Sequence, residues 1–203
     1  MKIGIVVDGD AESQALRLLT ERIDIEDVQL LAPAYANMQP KSAPGQIAQS
    51  AKSRIDILLA RKANKIVVLV DREDRDECPP AFARQIKQAF AQLGYDDITV
   101  VVKNRTFENW LIADIDALKE LSGLFSVTRS FERTVSPNKA DNVGDAEALL
   151  KKIAIKRRFH KRRDAIAITA VQEALEMARN SRSFRRFLRV VGHPQYLTQS
   201  KKP

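Results

Sequence analysis

The sequence predicts an α/β fold, Rossmann-like in its chain order, with a four-stranded, mainly parallel sheet flanked by helices. Short apolar runs rich in Val and Ile, such as residues 66–70, are typical of buried parallel strands. Segments with apolar residues at helical spacing alternate with these runs, and this alternation favours parallel strands joined by right-handed crossovers. After residue 103 the pattern becomes helical, so we expect a helical C-terminal extension.

The first half of the chain carries the predicted sheet. We expect strands at residues 2–7, 28–31, 66–70 and 98–102. Helices are predicted between them, at 11–23 and 46–62, and a third begins at Pro79-Pro80 and ends at Gly94. Residues 33–45 contain three prolines and a glycine, which indicates a loop.

The second half is predicted to be helical. Helical spacing of apolar residues indicates helices at 107–121, 145–153, 166–179 and 181–191. Residues 122–143 contain Gly, Ser, Thr, Pro137 and Asn and are interpreted as a loop. We therefore divide the chain into a sheet domain at 1–115 and a basic helical extension at 116–203 packed on it. The apolar stripe at 181–191 can also form a subunit contact, so the sequence leaves the oligomeric state open.

The positive charge is concentrated in the extension. The net charge is +8, but residues 151–203 carry 15 Lys and Arg against three acids, a net +12, so residues 1–150 carry −4. A basic segment beside an acidic one is typical of a metal site next to a surface that binds a polyanion. The predicted nucleic-acid-binding residues are Lys151, Lys152, Lys156, Arg157, Arg158, Lys161, Arg162 and Arg163.

Several classes of protein are disfavoured by composition. The single cysteine, Cys78, excludes an internal disulfide and a cysteine-rich zinc site. No apolar run approaches the roughly 20 residues of a membrane helix. The first residues indicate a strand instead of a secretory signal, so we expect a cytoplasmic protein without a membrane partner. No Walker-type glycine-rich loop and no Ser/His/Asp spacing is present.

Two acidic clusters follow predicted strands. Asp8 and Glu12 come after the first strand, and Asp71 and Glu73 after the third. In open α/β sheets ligands bind at the carboxyl ends of the strands, so both clusters should face one crevice. Carboxylates crowded together repel one another unless a cation lies among them, and hard oxygen ligands suit Mg²⁺ or Mn²⁺.

The order of motifs resembles a known fold family. A strand followed by Asp-Gly-x-x-Glu, a strand followed by Asp-x-Glu, and a strand followed by Thr106-x-Glu108 are similar to the TOPRIM domain of topoisomerases, primases and OLD-type nucleases. The resemblance covers residues 1–115 and is closest to the DUF4276 group found around phage-defence systems. Asp8 stands where the family has Glu, and Glu73 where it has Asp.

The resemblance implies a metal-dependent nuclease. It places metal ligands at Asp8, Glu12, Asp71, Glu73 and Glu108. It gives Asp8 and Glu12 catalytic roles as well, and it implies two Mg²⁺ or Mn²⁺ ions that act on a phosphodiester of DNA or RNA. OLD-type nucleases add a lysine beyond the fourth strand, for which Lys139 is the candidate and Lys103 and Lys156 are alternatives. The family also implies a separately encoded ATPase partner and a role in phage defence or repair.

Two other interpretations remain open at the level of sequence. The substitutions at Asp8 and Glu73 are compatible with a non-catalytic adaptor subunit that binds nucleic acid. A phosphoacceptor receiver-like domain also has acids after strand one and an Asp after strand three, although residues 33–62 are longer than such a domain needs. A topoisomerase or primase fits less well, because the chain is too short for the additional domains.

Overall fold

A computed structural model describes residues 1–197 and confirms an α/β fold with a parallel sheet flanked by helices. The sheet has five strands, so the expected number of four is wrong. The strands are β1 (Lys2–Val7), β2 (Gln29–Leu30), β3 (Ala34–Tyr35), β4 (Lys65–Asp71) and β5 (Ile98–Lys103).

The unpredicted strand, β3, lies in the segment interpreted as a loop. It pairs with the end of β1 at Val6 and Val7, and β2 pairs with the beginning of the same strand. The chain therefore follows one edge of β1 twice, and both short strands are parallel to it. A strand of two residues is too short to display any hydrophobic alternation, and its pairing with β1 is a long-range contact.

The order across the sheet is β2–β1–β4–β5, and every pair is parallel. Val6 is paired with Val68, Val68 with Val100, and Asp71 with Lys103. Because the strands are parallel, their carboxyl ends meet at one edge of the sheet, and this is where the predicted acidic clusters emerge.

Helices connect and cover the strands. They are α1 (Asp10–Thr20), α2 (Pro44–Ala60), α3 (Pro79–Gln92), α4 (Phe107–Leu111), α5 (Ile115–Glu120), α6 (Arg129–Val135), α7 (Ala146–Ile153), α8 (Lys161–Val171), α9 (Ala174–Asn180) and α10 (Arg182–Val191). The segment 122–143, predicted to be a loop, contains α6, which Thr128 caps through its side chain. Phe131 and Val135 are four residues apart and both are buried, which is the spacing of a helix face that packs on the core. The prediction of a loop was wrong here because the surrounding residues are typical of loops.

The predicted helix at 166–179 is two helices. The chain becomes extended at Gln172 and Glu173 and separates α8 from α9. The buried Gln172 amide donates to two carbonyl groups of α4, and the Asp114 carboxylate accepts from the Glu173 backbone at 2.7 Å. These contacts come from residues about 60 positions away, so local periodicity gave no sign of the break.

The core has one layer on each face of the sheet. Val68 and Val70 pack towards α2 and α3, while Val67 and Leu69 face the layer that contains α1 and the C-terminal helices. The second layer joins residues from both predicted domains, and the division at residue 115 stays a prediction. Across the described residues, no helix combines the length and the apolar character required to cross a membrane.

Candidate metal centre

Three carboxylates converge at the carboxyl edge of the sheet. Asp8 follows β1, Asp71 ends β4, and Glu12 projects from the first turn of α1. Each offers an oxygen within 4.8 Å of the others, close enough to share one metal ion. We call these residues the acidic triad. The crossing of β1 into α1 and the direct pairing of β1 with β4 bring them together, as the sequence predicted.

A lysine ammonium lies at the centre of the acidic triad. Lys103 Nζ is 3.0 Å from Asp8, 2.6 Å from Glu12 and 2.8 Å from Asp71, and the side chain is fully buried. Lys103 ends β5, where it is directly paired with Asp71. Sequence reasoning had Lys103 only as an alternative to Lys139. The sequence indicated Lys103 through its position at the end of an apolar strand. The register of β5 against β4 then places it beside Asp71.

The charges of the centre are strongly coupled. Burial alone would lower the pKa of Lys103, but attraction by the acidic triad outweighs it and holds the pKa well above the usual range. Burial raises the pKa of Asp71 to about 7, and the Asp8 charge adds to that rise while Lys103 opposes it. Burial also raises the pKa of Glu12, again against the effect of Lys103. One ammonium therefore does not compensate three carboxylates.

Buried carboxylate oxygens without hydrogen bonds remain in the centre. Glu12 Oε1, Asp71 Oδ1 and Glu108 Oε1 are buried and accept no hydrogen bond from the described residues. Asp71 Oδ1 and Glu108 Oε1 nevertheless form ion pairs at 2.8 Å with the ammonium groups of Lys103 and Lys161, which leaves Glu12 Oε1 as the atom of the three without a partner. A buried carboxylate oxygen without a partner, such as Glu12 Oε1, is costly unless a donor or a cation binds it. The acidic triad therefore fits a divalent cation with hard oxygen ligands.

Glu73 lies at the rim of the same site. It lines a cavity of about 220 Å³ together with the acidic triad, and we call this space the acidic cavity. Its side chain is 35% exposed, and Lys41 lies 3.9 Å from its carboxylate. The backbone at Glu73 has φ +53°, a left-handed conformation that is uncommon outside glycine. Glu73 thus reaches the cavity but lies outside the acidic triad.

Glu108 is buried next to the centre on α4. The Lys161 ammonium, at the beginning of α8, lies 2.8 Å from its carboxylate. The charge of Glu108 contributes to the raised pKa of Asp71, which indicates how close the two carboxylates are. Lys161 itself lines the acidic cavity, and its side chain is 58% exposed. Pairing of Glu108 with a lysine from the basic segment was not foreseen from the sequence.

Lys139 lies elsewhere. Its side chain is exposed, its ammonium donates to the backbone oxygen of Arg133 at 3.1 Å, and it does not line the acidic cavity. Lys156, the other alternative, is also exposed and lies near Gly123. Of the three lysines considered from the sequence, Lys103 is the one that contacts the carboxylates.

The predicted nucleic-acid-binding residues lie in the last turn of α7, in the segment that follows it and in the first turn of α8. Arg162 donates to Gln14 of α1 at 3.0 Å, which places it beside the acidic cavity with Lys161. Arg157 forms two contacts with the buried carboxylate of Asp164 and therefore anchors the start of the helix. The exposed members of the predicted set are Lys151, Lys152, Lys156, Arg158, Lys161, Arg162 and Arg163.

Fold and site together define an α/β protein with a buried acidic centre at the carboxyl edge of a parallel sheet, beside a basic helix. The chain belongs to the family described as "Domain of unknown function (DUF4276)", which matches residues 13–191. The matched range runs across residue 115 and begins after Asp8 and Glu12. No curated protein and no solved structure matches the chain.

Proposed function

We propose that this protein is a divalent-metal-dependent nuclease with a TOPRIM-like centre, related in its chemistry to the OLD-type nucleases. The observation that carries the proposal is the acidic triad, with the unpartnered buried oxygen of Glu12, in a cavity that an exposed lysine of the basic segment also lines. Carboxylates in this arrangement suit Mg²⁺ or Mn²⁺, and the neighbouring positive charge suits the phosphates of DNA or RNA.

Asp8, Glu12 and Asp71 would hold the metal. The Asp71 backbone N–H donates to Asp8 Oδ2 at 2.7 Å, which fixes the Asp8 carboxylate and leaves its other oxygen towards Lys103. A bound divalent cation would supply Lewis-acid stabilisation to a phosphoryl oxygen. Glu73, at the cavity rim, is placed to contribute a further oxygen or to hydrogen-bond to a bound water.

Lys161 and Arg162 would position the scissile phosphate. Both side chains are more than half exposed; Lys161 lines the acidic cavity, and Arg162 lies 3.6 Å from the carboxylate of Asp10, which lines it as well. A phosphate that enters the acidic cavity can accept from the Lys161 ammonium, whose positive charge stabilises negative charge developing on the phosphoryl oxygens. The remaining exposed basic residues would bind the backbone of the polymer without reading its sequence.

The proposed partners follow from this chemistry and from the family resemblance. A polyanionic substrate bound through lysine and arginine should be held in a salt-dependent manner, with weak sequence specificity. A separately encoded ATPase and a role in phage defence or repair are part of the proposal. The cytoplasmic location stays a prediction.

Cleavage assays test the proposal. We expect the protein to cut at least one of plasmid, linear DNA, single-stranded DNA and RNA with Mg²⁺ or Mn²⁺, and to stop in EDTA. Asp71→Asn should abolish cutting, because it removes a triad charge. Asp76→Asn, the same change at an exposed residue of the following loop, should leave cutting intact. Cleavage that survives Asp71→Asn would refute the assignment of this centre.

A non-catalytic adaptor that binds nucleic acid is the second candidate. One observation favours it: Lys103 already contacts all three carboxylates, and a buried internal cation can serve purely to stabilise the fold. The adaptor predicts salt-sensitive binding of nucleic acid that neither added metal nor EDTA changes, and no cleavage. The nuclease predicts metal-dependent cleavage.

A further inference from the structure

We infer that the centre takes one divalent cation per chain and that the buried ammonium of Lys103 holds the position of a second. The inference rests on the metal site of the proposed function and departs from the two ions that the family resemblance implies. It concerns the number of ions, which can be measured without any nucleic acid.

The geometry leaves little room for two ions. Paired metal ions in phosphodiester-cleaving sites lie roughly 3.5–4 Å apart and share carboxylate ligands. Here Lys103 Nζ lies within 3.0 Å of an oxygen from every member of the acidic triad. A cation that bridged the same three oxygens would overlap the ammonium, so one divalent ion must use the remaining oxygens. Glu12 Oε1, which is buried and unpartnered, is the clearest of these.

Charge balance gives the same number. With all three carboxylates ionised, as ligands of a metal must be, the acidic triad and Lys103 together carry a net charge of −2, which one divalent cation neutralises. Glu108, the other buried carboxylate nearby, is already paired with the Lys161 ammonium and adds no net charge. A second divalent ion would leave a buried excess of positive charge, and uncompensated buried charge is strongly unfavourable.

The ammonium of Lys103 is held in place. The residue belongs to β5, its backbone is paired beside Asp71, and its side chain has no exposed surface. The Nζ atom also lies 5.9 Å from the centre of the Phe107 ring, which is buried. Lys161, in contrast, is largely exposed and can leave Glu108 for a phosphate. Lys103 is thus a positioning residue. Its ammonium stays in the centre, where it neutralises part of the carboxylate charge and orients the metal ligands.

Counting bound Mn²⁺ tests the inference. Free Mn²⁺ is measured by electron paramagnetic resonance during titration of the full chain, without nucleic acid, at pH 8. We expect one ion per wild-type chain. Lys103→Met removes the ammonium while keeping a long side chain. Two divalent ions would then leave an excess charge of +1 over the acidic triad, which Glu73 at the cavity rim can neutralise, so the number should rise to two. Lys52→Met removes an exposed lysine of α2, and its number should stay at one.

Each other outcome overturns the inference. Two ions on the wild-type chain would mean that Lys103 does not occupy a cation position, and no ion would mean that it blocks the centre entirely. One ion on a folded Lys103→Met variant would also refute it. Circular dichroism establishes folding of that variant, and if it fails to fold the wild-type count alone decides. One bound ion without cleavage of any substrate would refute the nuclease and leave this inference standing.

Discussion

Replacing Asp71 with Asn should stabilise the metal-free protein at alkaline pH. The pKa of Asp71 is about 7 in the folded chain, against an ordinary value of 3.8. Because the folded state binds this proton more tightly than the unfolded state, its contribution to stability is present at low pH and is lost as the pH rises through 7. A neutral Asn avoids that loss.

The magnitude follows from the shift in pKa. A difference of about three pKa units corresponds to roughly 4 kcal/mol, which is an upper bound because the carboxylates of the centre titrate together. The attraction between Asp71 and Lys103 opposes the rise in pKa and is already included in that figure. We therefore expect Asp71→Asn to have the higher free energy of unfolding at pH 8 and nearly the wild-type value at pH 4.

Urea denaturation in EDTA at pH 4–8 measures this difference. Asp76→Asn, at an exposed carboxylate, is the matched control and should follow the wild type. Saturating Mn²⁺, at about 100 times its Kd, should stabilise the wild type by roughly 2.7 kcal/mol and the Asp71→Asn variant far less. An Asp71→Asn variant that is less stable than the wild type at pH 8 in EDTA would refute the reasoning.

Three further predictions concern the same centre and its surroundings. The affinity for Mn²⁺ should fall as the pH drops below about 7, since protons then compete for Asp71; calorimetric titration at pH 6, 7 and 8 measures this, and a flat profile would contradict it. Lys161→Ala should weaken binding of nucleic acid and reduce the slope of log K against log salt by about 1, whereas Lys52→Ala, remote from the cavity, should leave the slope unchanged. Gln172→Ala should lower the free energy of unfolding by about 1–3 kcal/mol, because two buried carbonyl groups of α4 lose their donor; a change within measurement error would show that water replaces the amide.

Much of the fold was accessible from sequence because its signals are local. The buried strands β1, β4 and β5 are continuous apolar runs, and α1, α2 and α3 show helical spacing between them. The elements that were missed depend on distant residues. The two residues of β3 form a strand because they pair with β1. Helix α8 ends where the Gln172 side chain donates a hydrogen bond to a backbone carbonyl of α4.

The candidate metal centre was also predictable only in part from the sequence. Asp8, Glu12 and Asp71 were predictable as neighbours because carboxyl ends of parallel strands share an edge. The lysine that contacts these carboxylates could not be identified from the sequence, because Lys139 and Lys103 look equally suitable there. The register of β4 against β5 places Lys103 beside Asp71, and no local pattern encodes that register.

The sequence by itself determined the class of fold, the family and the edge of the sheet where the acids gather, since these depend on periodicity and on residue type along short segments. The tertiary structure decided which charges meet. Burial removes the solvent that would screen the charges, so the positions of Lys103 and Lys161, a few ångströms from buried carboxylates, set the charge that remains for a metal ion.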